Sequence, residues 1–414
     1  MTIAIETPVE GHPHERAAPT AATLTGRCAE TGYLVSVSSL FPSADIVDQW
    51  RDLAARALVP NLFYEPEFAQ AASIPFGKGV QLLTIRQTDA GRERLLLAWP
   101  FRIARGRWGI PLSVMLGWGH PFACLGVPLV DAEHADSAIA SLLNVRRTIP
   151  TLPPRALFQL IPEDGPFSQI LQDVEHRRGQ RFTRTERHDR PDWRRGVADD
   201  PLATLSSSTQ AKLRQGFRGL EREGRVFFET ITDHRELPAA LEDYLALEAS
   251  GWKARAGTAI PQSESQTAFM RQLIAALGAQ HRVRVDRLRI GHTTLASSIS
   301  YLYGAHHAWN AKISYNEDYA KFSPGSHLVL KITDDYRLNT ALTYADSCAP
   351  AGHPLMRRFW TTRFFLSNVV VALGEKDRLL GLAGALEQLR PRVRDFAYRV
   401  RDTLRSRLRR RAQR

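Results

Sequence analysis

The chain has 414 residues, of which 43% are hydrophobic and 24% are charged, and its formal net charge is +12. This length predicts two domains, and this composition is typical of a globular protein that can bury two cores. The three cysteines, Cys28, Cys124 and Cys348, are far apart and odd in number, which argues against a disulfide framework. No cysteine or histidine cluster has the spacing of a zinc site, so we expect no metal.

The N-terminal residues carry no apolar segment of the kind found in signal peptides. Residues 1–30 are polar and contain several prolines, which predicts a disordered segment. The apolar run Val369–Leu373 is far too short to span a bilayer. We therefore expect no transmembrane segment and a cytoplasmic location, peripheral at the inner membrane if the basic tail binds there.

Residues 31–195 are predicted to form an N-terminal mixed α/β domain. Alternating and helical hydrophobic periodicities give its elements. In chain order these are a strand at Tyr33–Val37, a helix at Ala44–Ala57 capped by Ser43, a hairpin of Val80–Arg86 and Arg94–Ala104, a helix near Glu133–Asn144 and a strand near Ala156–Ile161. Residues 175–200 are rich in charged side chains and are expected to be a connecting segment with edge strands.

Residues 196–374 are predicted to form a second domain with a similar order of elements. They are a helix after Ser208 that ends at Gly224, a strand at Val226–Thr232, helices at Leu237–Trp252 and Gln266–Leu277, strands at Val283–Ile290, Thr294–Tyr303 and Ala308–Tyr315, a helix at Ser326–Asn339, a short strand at Thr343–Ala345 and a helix through Phe359–Leu373. This repetition predicts two copies of one fold in tandem.

The most informative segment follows the strand Trp309–Tyr315. A polar loop ends in Ser323-Pro324-Gly325-Ser326, and a helix opens directly after it. Proline suits a first helical turn, serine can cap it, and glycine lets a ligand approach the backbone. A helix N-terminus is a seat for pyrophosphate or carboxylate, and Lys321 and His327 would add charge there. The alternative is a well-capped helix without a ligand.

Several stretches together resemble the BioF2/CelD-like branch of the GNAT acetyltransferase superfamily, which is related to the FemAB peptidyltransferases. The resemblance covers about Ser206–Leu373, and more loosely Trp50–Leu160. Four stretches of this sequence carry the resemblance. They are Lys212-Leu213-Arg214 with Gly224, Leu247–Lys253 followed by Gly257–Ile260, Trp309–Glu317 followed by Phe322–Gly325, and Asp346–Ala349 followed by His353–Met356 and Trp360.

This resemblance implies a mixed α/β (α+β) fold of tandem GNAT-like acyl-CoA N-acyltransferase domains with a basic C-terminal helix. It also implies acetyl-CoA, or another acyl-CoA, as donor. The usual GNAT pyrophosphate loop is absent, and Ser323-Pro324-Gly325 stands in its place. The residues expected to bind the donor are Lys312, Lys321, Ser323, Pro324, Gly325, Ser326 and His327.

Acyl transfer to an amine or hydroxyl needs a base for the nucleophile and a proton for the leaving group. Asp346 is a candidate base or a partner that orients His353, and Tyr315 is a candidate acid. The alternatives are that Asp346 caps a helix or pairs with an arginine, and that Tyr315 packs. The residues expected to bind the acceptor are Trp252, Lys253 and Trp309.

Residues 375–414 form a basic tail with thirteen Lys/Arg and five Asp/Glu. Apolar residues recur every three to four positions from Leu382 to Leu408, which predicts an amphipathic helix. For its first half we expect a helix packed on the body with a solvated basic face. For Arg405–Arg414 we expect an electrostatic contact with an anionic membrane surface or RNA.

The sequence leaves three alternative functions open. The first is an acyltransferase that acts on a small molecule or a saccharide, linked to exopolysaccharide, cellulose or envelope biosynthesis. The second is a FemAB-like transferase that uses aminoacyl-tRNA. The third is a non-catalytic accessory protein of polysaccharide assembly.

Overall fold

The computed structural model describes residues 23–89, 91–179, 182–197, 200–374 and 377–394. Within these ranges, all fourteen strands belong to one continuous sheet. The strands are β1 Leu24–Arg27, β2 Leu34–Ser39, β3 Gln81–Asp89, β4 Arg92–Ala104, β5 Val114–Gly117, β6 Leu129–Val130, β7 Arg155–Pro162, β8 Thr183–Arg194, β9 Val226–Ile231, β10 Val283–Ile290, β11 Thr293–Tyr303, β12 His307–Tyr315, β13 Tyr344–Asp346 and β14 Thr362–Ala372.

Helices cover the sheet, and three short 3₁₀ turns connect them, at Leu62–Tyr64, Ile260–Gln262 and Glu317–Phe322. None of the helices in the described ranges is long and apolar enough to cross a membrane. The α-helices are α1 Ala44–Ala55, α2 Pro66–Phe76, α3 Ala135–Leu143, α4 Val145–Thr148, α5 Pro166–Arg177, α6 Ser207–Glu223, α7 Leu237–Ser250, α8 Trp252–Arg255, α9 Glu264–Gly278, α10 Pro324–Asn339 and α11 Pro354–Phe359. A further helix, residues 380–394, is called the C-terminal helix below.

The strand order is β1-β2-β3-β4-β5-β7-β14-β8-β13-β12-β11-β10-β9, with β6 beside β4. Each half contains one parallel pair, β5 with β7 and β12 with β13, and every other pairing is antiparallel. This equivalence matches the tandem repeat predicted from the order of elements.

The middle of the sheet is built by an exchange of strands. β8, the last strand of the first half, pairs with β13 of the second half. β14, the last strand of the second half, lies between β7 and β8. The two halves therefore share backbone hydrogen bonds across their boundary.

The core also crosses this boundary. Trp309 meets Phe63 edge to face at a centroid distance of 5.8 Å. Phe269 of α9 meets Phe68 of α2 in the same way at 5.6 Å. Aromatic pairs of this kind contribute beyond the burial of their area, so the halves are expected to be fixed against one another.

Three predictions about individual segments were wrong. The segment 1–30 is not disordered throughout, because Leu24–Arg27 pairs with β2, while residues 1–22 lie outside the described part of the chain. The charged segment at residues 175–200 contains β8, which is a central strand and not an edge strand. The final predicted helix is strand β14, because its apolar run is β-rich and is buried between two neighbours.

The C-terminal helix packs on the body, as predicted, but with a different face. Ala383 and Glu387 are buried against the first half of the chain. Leu382, Leu389 and Val393 of the predicted apolar stripe are exposed instead. Residues 395–414, including Arg405–Arg414, lie outside the described residues.

Candidate active site

A wedge opens beside β12 where its parallel partner ends. β13 pairs with β12 only from His307 to Trp309, and its last residue is Asp346. β12 continues to Tyr315, paired on its other side with β11. From Asn310 onward, no described strand occupies the β13 side of β12. This unpaired edge leads directly into the predicted donor loop and α10.

A β-bulge decides which side chains of β12 face each side of the sheet. Ile299 lies opposite Lys312 and Ser300 opposite Asn310, so Ala311 is the extra residue. Because a bulge shifts the alternation of side chains, Lys312 faces the side of Phe122. Ile313 and Tyr315 face the core that contains α10.

The predicted donor loop begins α10, but its cap differs from the expected one. Ser323 is the N-cap residue and has a left-handed backbone, with φ 58° and no side-chain capping bond. Its backbone carbonyl accepts the N–H groups of Ser326 at 3.0 Å and His327 at 3.3 Å. Above Gly325, a methyl group would meet Leu355 and Tyr315 at ordinary distances of 3.8 Å. The expectation that serine caps this helix through its side chain was wrong.

The N-terminus of α10 opens onto a basic cleft. The cleft has a volume of about 560 Å³ and lies between α6, the 3₁₀ turn at Glu317–Phe322 and α11. Among the described residues that line it, four are cationic and none is acidic; the cations are Lys212, Arg222, Lys321 and Arg358. Ser323 also lines it, which joins the predicted loop to this positive surface.

Two glycines of α6 bring this helix against the donor loop. A Cβ on Gly219 would lie 2.4 Å from the ring of Phe322, and one on Gly216 would lie 2.8 Å from the Phe322 carbonyl. Behind the loop, His327 meets Phe217 edge to face, and burial lowers the pKa of its imidazole. His327 Nε2 is buried without a hydrogen-bond partner among the described residues. The predicted residues Lys321 and Ser323–His327 are thus brought together.

Lys312 is separated from that group, although it was predicted to bind the donor with them. Its ammonium lies 4.1 Å from the centroid of the Phe122 ring. Burial lowers the pKa of Lys312 to about 8, and the positive charge of Lys253 acts in the same direction. The structure places Lys312 across the sheet from the basic cleft, on the face that α7 also covers.

A buried ion pair holds the segment after α7 against β12. Lys253 Nζ donates to Glu248 Oε1 at 2.6 Å and to the Ile313 carbonyl at 3.1 Å. The second carboxylate oxygen of Glu248 accepts the N–H of Ile260 at 2.9 Å. Burial acts to raise the pKa of Glu248, but Lys253 and Lys312 hold it below its usual value. The ion pair therefore positions the predicted acceptor residue Lys253 at the unpaired edge.

The two tryptophans predicted to bind the acceptor have different environments. Trp252 is 39% exposed, and its backbone N–H donates to Glu317 of the donor-side turn. Trp309 is buried among Phe63, Tyr303 and His307. Its burial leaves no surface for direct contact with an acceptor, so the structure assigns Trp309 to the core.

Asp346 lies in a second buried network. Arg190 of β8 donates to Asp346 Oδ2 at 3.1 Å and to the Cys124 carbonyl at 2.7 Å. Asp346 Oδ1 accepts the N–H of Cys348 at 2.8 Å. Burial raises the pKa of Asp346, although the charge of Arg190 opposes this. The alternative that Asp346 pairs with an arginine is what the structure shows.

His353 begins α11 and does not contact Asp346 in the described hydrogen bonds. Its Nδ1 accepts the N–H of Met356 at 3.4 Å, as an N-cap. Burial, and then the charge of Lys253, lowers the pKa of this imidazole. The ring is therefore neutral at pH 7, and the predicted pairing of Asp346 with His353 is wrong.

The sequence analysis missed three residues of these networks. Glu248 lies on the apolar face of α7 with Tyr244 and Leu241, so its periodicity was a usable signal of burial. Cys124 and Arg190 come from distant parts of the chain and carried no local signal.

One acidic cluster lies far from the wedge in sequence. Asp131, Glu133 and His134 place ligand atoms within 4.8 Å of one another. Asp131 is already paired with Arg56 and Arg94, and Glu133 also with Arg94. These arginines therefore neutralise part of the charge of the two carboxylates.

A sequence profile of the acetyltransferase (GNAT) domain matches residues 207–351, the segment that contains the wedge, the donor loop and Asp346. This stretch of the chain, residues 207–351, is therefore a GNAT acyltransferase domain. The resemblance predicted from the sequence is thereby confirmed. No curated protein sequence matches this GNAT protein.

The chain is similar to solved structures over most of its length. The crystal structure of FemX is 9% identical and superimposes with a TM-score of 0.52, over 79% of this chain and 96% of that one. The C-terminal domain of a putative lysylphosphatidylglycerol synthetase from Agrobacterium fabrum is 15% identical, with a TM-score of 0.49 over 84% and 96%. The likeness to FemX shows that the two proteins share a fold over most of this chain.

Proposed function

We propose that this GNAT protein transfers an acyl group from an acyl-CoA, with acetyl-CoA as the simplest donor, to an amine or hydroxyl of a saccharide or small metabolite. The observation that carries the proposal is the N-terminus of α10, which opens onto a four-cation cleft at the end of the unpaired edge of β12. The predicted link to polysaccharide or envelope biosynthesis belongs to this proposal.

The chemistry of the cleft fits the phosphates of a coenzyme A. Lys212, Arg222 and Arg358 would hold phosphate oxygens by charge, and the positive end of the α10 dipole would add to this attraction. The orphaned ring nitrogen of His327 lies directly behind this turn. When bound, the donor supplies an acyl group activated as a thioester.

On the opposite face, the Lys253–Glu248 pair and the exposed Trp252 would bind the acceptor. A hydroxylated or amine-bearing acceptor can stack on Trp252 while Lys253 orients it at the β12 edge. Lys312 would line the same side of the wedge. Its pKa is lowered to about 8, so Lys312 loses its proton more readily than an ordinary lysine.

Proton transfer would use the two predicted residues that flank the wedge. The neutral imidazole of His353 would take the proton of the attacking nitrogen or oxygen on Nδ1, in place of the Met356 N–H that this nitrogen accepts in the free protein. Tyr315, which packs near Gly325, would protonate the departing thiolate. Asp346 would act as a positioning residue, because it fixes the backbone at Cys348 and the guanidinium of Arg190.

A second candidate donor is an aminoacyl-tRNA, and one observation favours it. The exposed face of α6 carries Arg214 and Arg218 beside the two cations of the cleft, Lys212 and Arg222. This row of positive charge suits the phosphate backbone of an RNA. Under this alternative, the 3′ end of the RNA would enter the same cleft.

A thermal-unfolding titration with acetyl-CoA tests the proposal. Saturation at about 100 times the dissociation constant stabilises a protein by about 2.7 kcal/mol. The double variant Lys212→Ala/Arg358→Ala should bind at least about tenfold more weakly, because it removes two phosphate contacts. Lys78→Ala, a change at an exposed lysine outside the cleft, should behave as the wild type.

The other outcomes select the alternatives. No stabilisation by acetyl-CoA, together with salt-sensitive tRNA binding that the double variant weakens, supports the aminoacyl-tRNA donor. No response to either ligand supports the accessory protein without catalysis. Stabilisation by acetyl-CoA that the double variant retains in full would leave the donor outside the cleft.

A further inference from the structure

The C-terminal helix is fixed to the body through one face. Glu387 is fully buried. Its carboxylate accepts hydrogen bonds from Arg107 Nε at 2.9 Å, from Arg107 Nη2 at 2.6 Å and from Trp108 Nε1 at 2.7 Å. Just before the helix, Asp377 pairs with Arg155 at 2.6 Å. A methyl group on Gly384 would lie 2.8 Å from Thr183. This face is closely packed, so the orientation of the helix is well defined.

The opposite face exposes an apolar stripe. Leu382 is 45% exposed, Leu389 is 48% exposed and Val393 is 65% exposed. Their spacing of seven and four residues places them on one side of the helix. Leu379, at 47% exposed, lies just before the helix. Isolated surface leucines are ordinary, but an ordered row of them marks an interaction surface.

Charge is also divided between the two faces. Asp377 and Glu387 are the acidic residues of segment 377–394, and both point inward to arginines. Arg392 is exposed and precedes Val393 of the stripe in the helix, and Arg378 is exposed just before the helix begins. The outward face is therefore apolar with a basic border and without an acidic residue among its described positions. In sequence, residues 395–414 continue with eight arginines and two aspartates.

We propose that this face docks the protein on an anionic phospholipid bilayer. The helix would lie in the plane of the interface, with Leu382, Leu389 and Val393 among the acyl chains and the arginines at the phosphates. The anchoring through Glu387 holds the body on the other side of the helix.

Two other partners fit less well. RNA would satisfy the arginines but leave the leucine row in water, because phosphate contacts bury little apolar surface. In a two-fold contact, a second copy would place one basic border against another. An anionic bilayer satisfies both the apolar and the positive groups.

The experiment is co-sedimentation of the full chain with phosphatidylcholine vesicles, with and without phosphatidylglycerol. We expect at least about tenfold stronger binding to the anionic vesicles, since each basic residue near such a surface adds attraction. The variant Leu382→Gln/Leu389→Gln/Val393→Gln should lose most of this binding and keep its melting temperature, because it changes exposed side chains. The control Leu338→Gln alters a leucine of α10 that is 67% exposed and should bind like the wild type.

Four results would overturn the proposal. They are equal binding to both kinds of vesicle, undiminished binding by the triple variant, an equal loss in the Leu338→Gln control, and a dimer in light scattering that the triple variant abolishes. Binding of single-stranded RNA that depends on the same leucines, without binding to anionic vesicles, would favour RNA instead.

Discussion

The ammonium of Lys253 lies 2.6 Å from a carboxylate oxygen of Glu248, in a site where the Glu248 side chain is only 2% exposed. The same ammonium donates to the Ile313 carbonyl on the unpaired edge of β12. One buried ion pair thus joins α7, the segment after it and the strand that borders the wedge.

Removing the cation of this pair should destabilise the fold. In Lys253→Met, Glu248 keeps its bonds from Tyr244 and Ile260 but has no counter-charge from Lys253. We expect a loss of about 3 kcal/mol in the free energy of unfolding, because a buried charge is left without its partner. Urea denaturation measures it. The double variant Lys253→Met/Glu248→Gln should recover part of the loss, and a single variant as stable as the wild type would contradict this account.

Lys312 should make stability depend on pH in the alkaline range. Its pKa is lowered to about 8 in the folded state, against an ordinary value of 10.5. Between these values the unfolded state binds the proton and the folded state does not, so this residue makes stability rise with pH. The slope is at most about 1.4 kcal/mol per pH unit. Lys312→Met should remove this slope and be more stable than the wild type at pH 7, as measured by urea denaturation at each pH. Parallel curves for the two proteins would refute the assignment.

Two glycine-to-alanine changes should differ in their effects. Gly219→Ala would place a methyl group 2.4 Å from the Phe322 ring and push the donor loop away from α6. We expect weaker binding of acetyl-CoA and a loss of about 1–3 kcal/mol from overpacking, reduced by the higher helix propensity of alanine. Gly325→Ala meets neighbours only at 3.8 Å and should keep the stability of the wild type. Calorimetric titration and thermal unfolding measure both effects, and equal behaviour of the two variants would count against the packing argument.

His353→Asn separates the proposed catalytic role from the structural one. Asparagine is itself a good N-cap and can accept the Met356 N–H, so α11 should remain folded. Loss of a general base lowers the rate by about 10²–10⁴. Release of thiol from acetyl-CoA in the presence of a panel of amine and saccharide acceptors measures this.

The pH profile of the wild type supplies a further check on His353. Because the pKa of His353 is lowered, the wild-type rate should stay constant through pH 7 and fall only at more acidic pH, where the imidazole becomes protonated. A folded His353→Asn variant with an unchanged turnover would remove His353 from the mechanism.

Local patterns in the sequence were sufficient for much of the fold. Ser43 caps α1 with its side chain, as its position predicted. The hairpin of β3 and β4 and the loop before α10 also lie where their residues predicted. These features depend on hydrogen bonds and turns between residues close in sequence, so their signals are local. β14 was misassigned because a short apolar run fits a buried strand and a buried helix equally well.

The site needed long-range information. Lys312 was grouped with the donor loop because it is near it in sequence, but the bulge at Ala311 turns it to the opposite face. For Asp346 the sequence left open whether it acts as a base, orients His353 or pairs with an arginine, and its partner proves to be Arg190, 156 residues away. In the C-terminal helix, the apolar stripe was predicted to pack on the body. The structure buries the opposite face instead, because Glu387 on that face forms an ion pair with Arg107.

The sequence by itself thus determined most of the elements, the GNAT resemblance and the loop before α10, because helix caps, turns and hydrophobic periodicity act between neighbouring residues. The tertiary structure decided which faces of β12 and the C-terminal helix are buried and which charges neutralise one another. Those outcomes depend on contacts between distant segments, and a buried charge is stable only where the folded chain brings its partner to it.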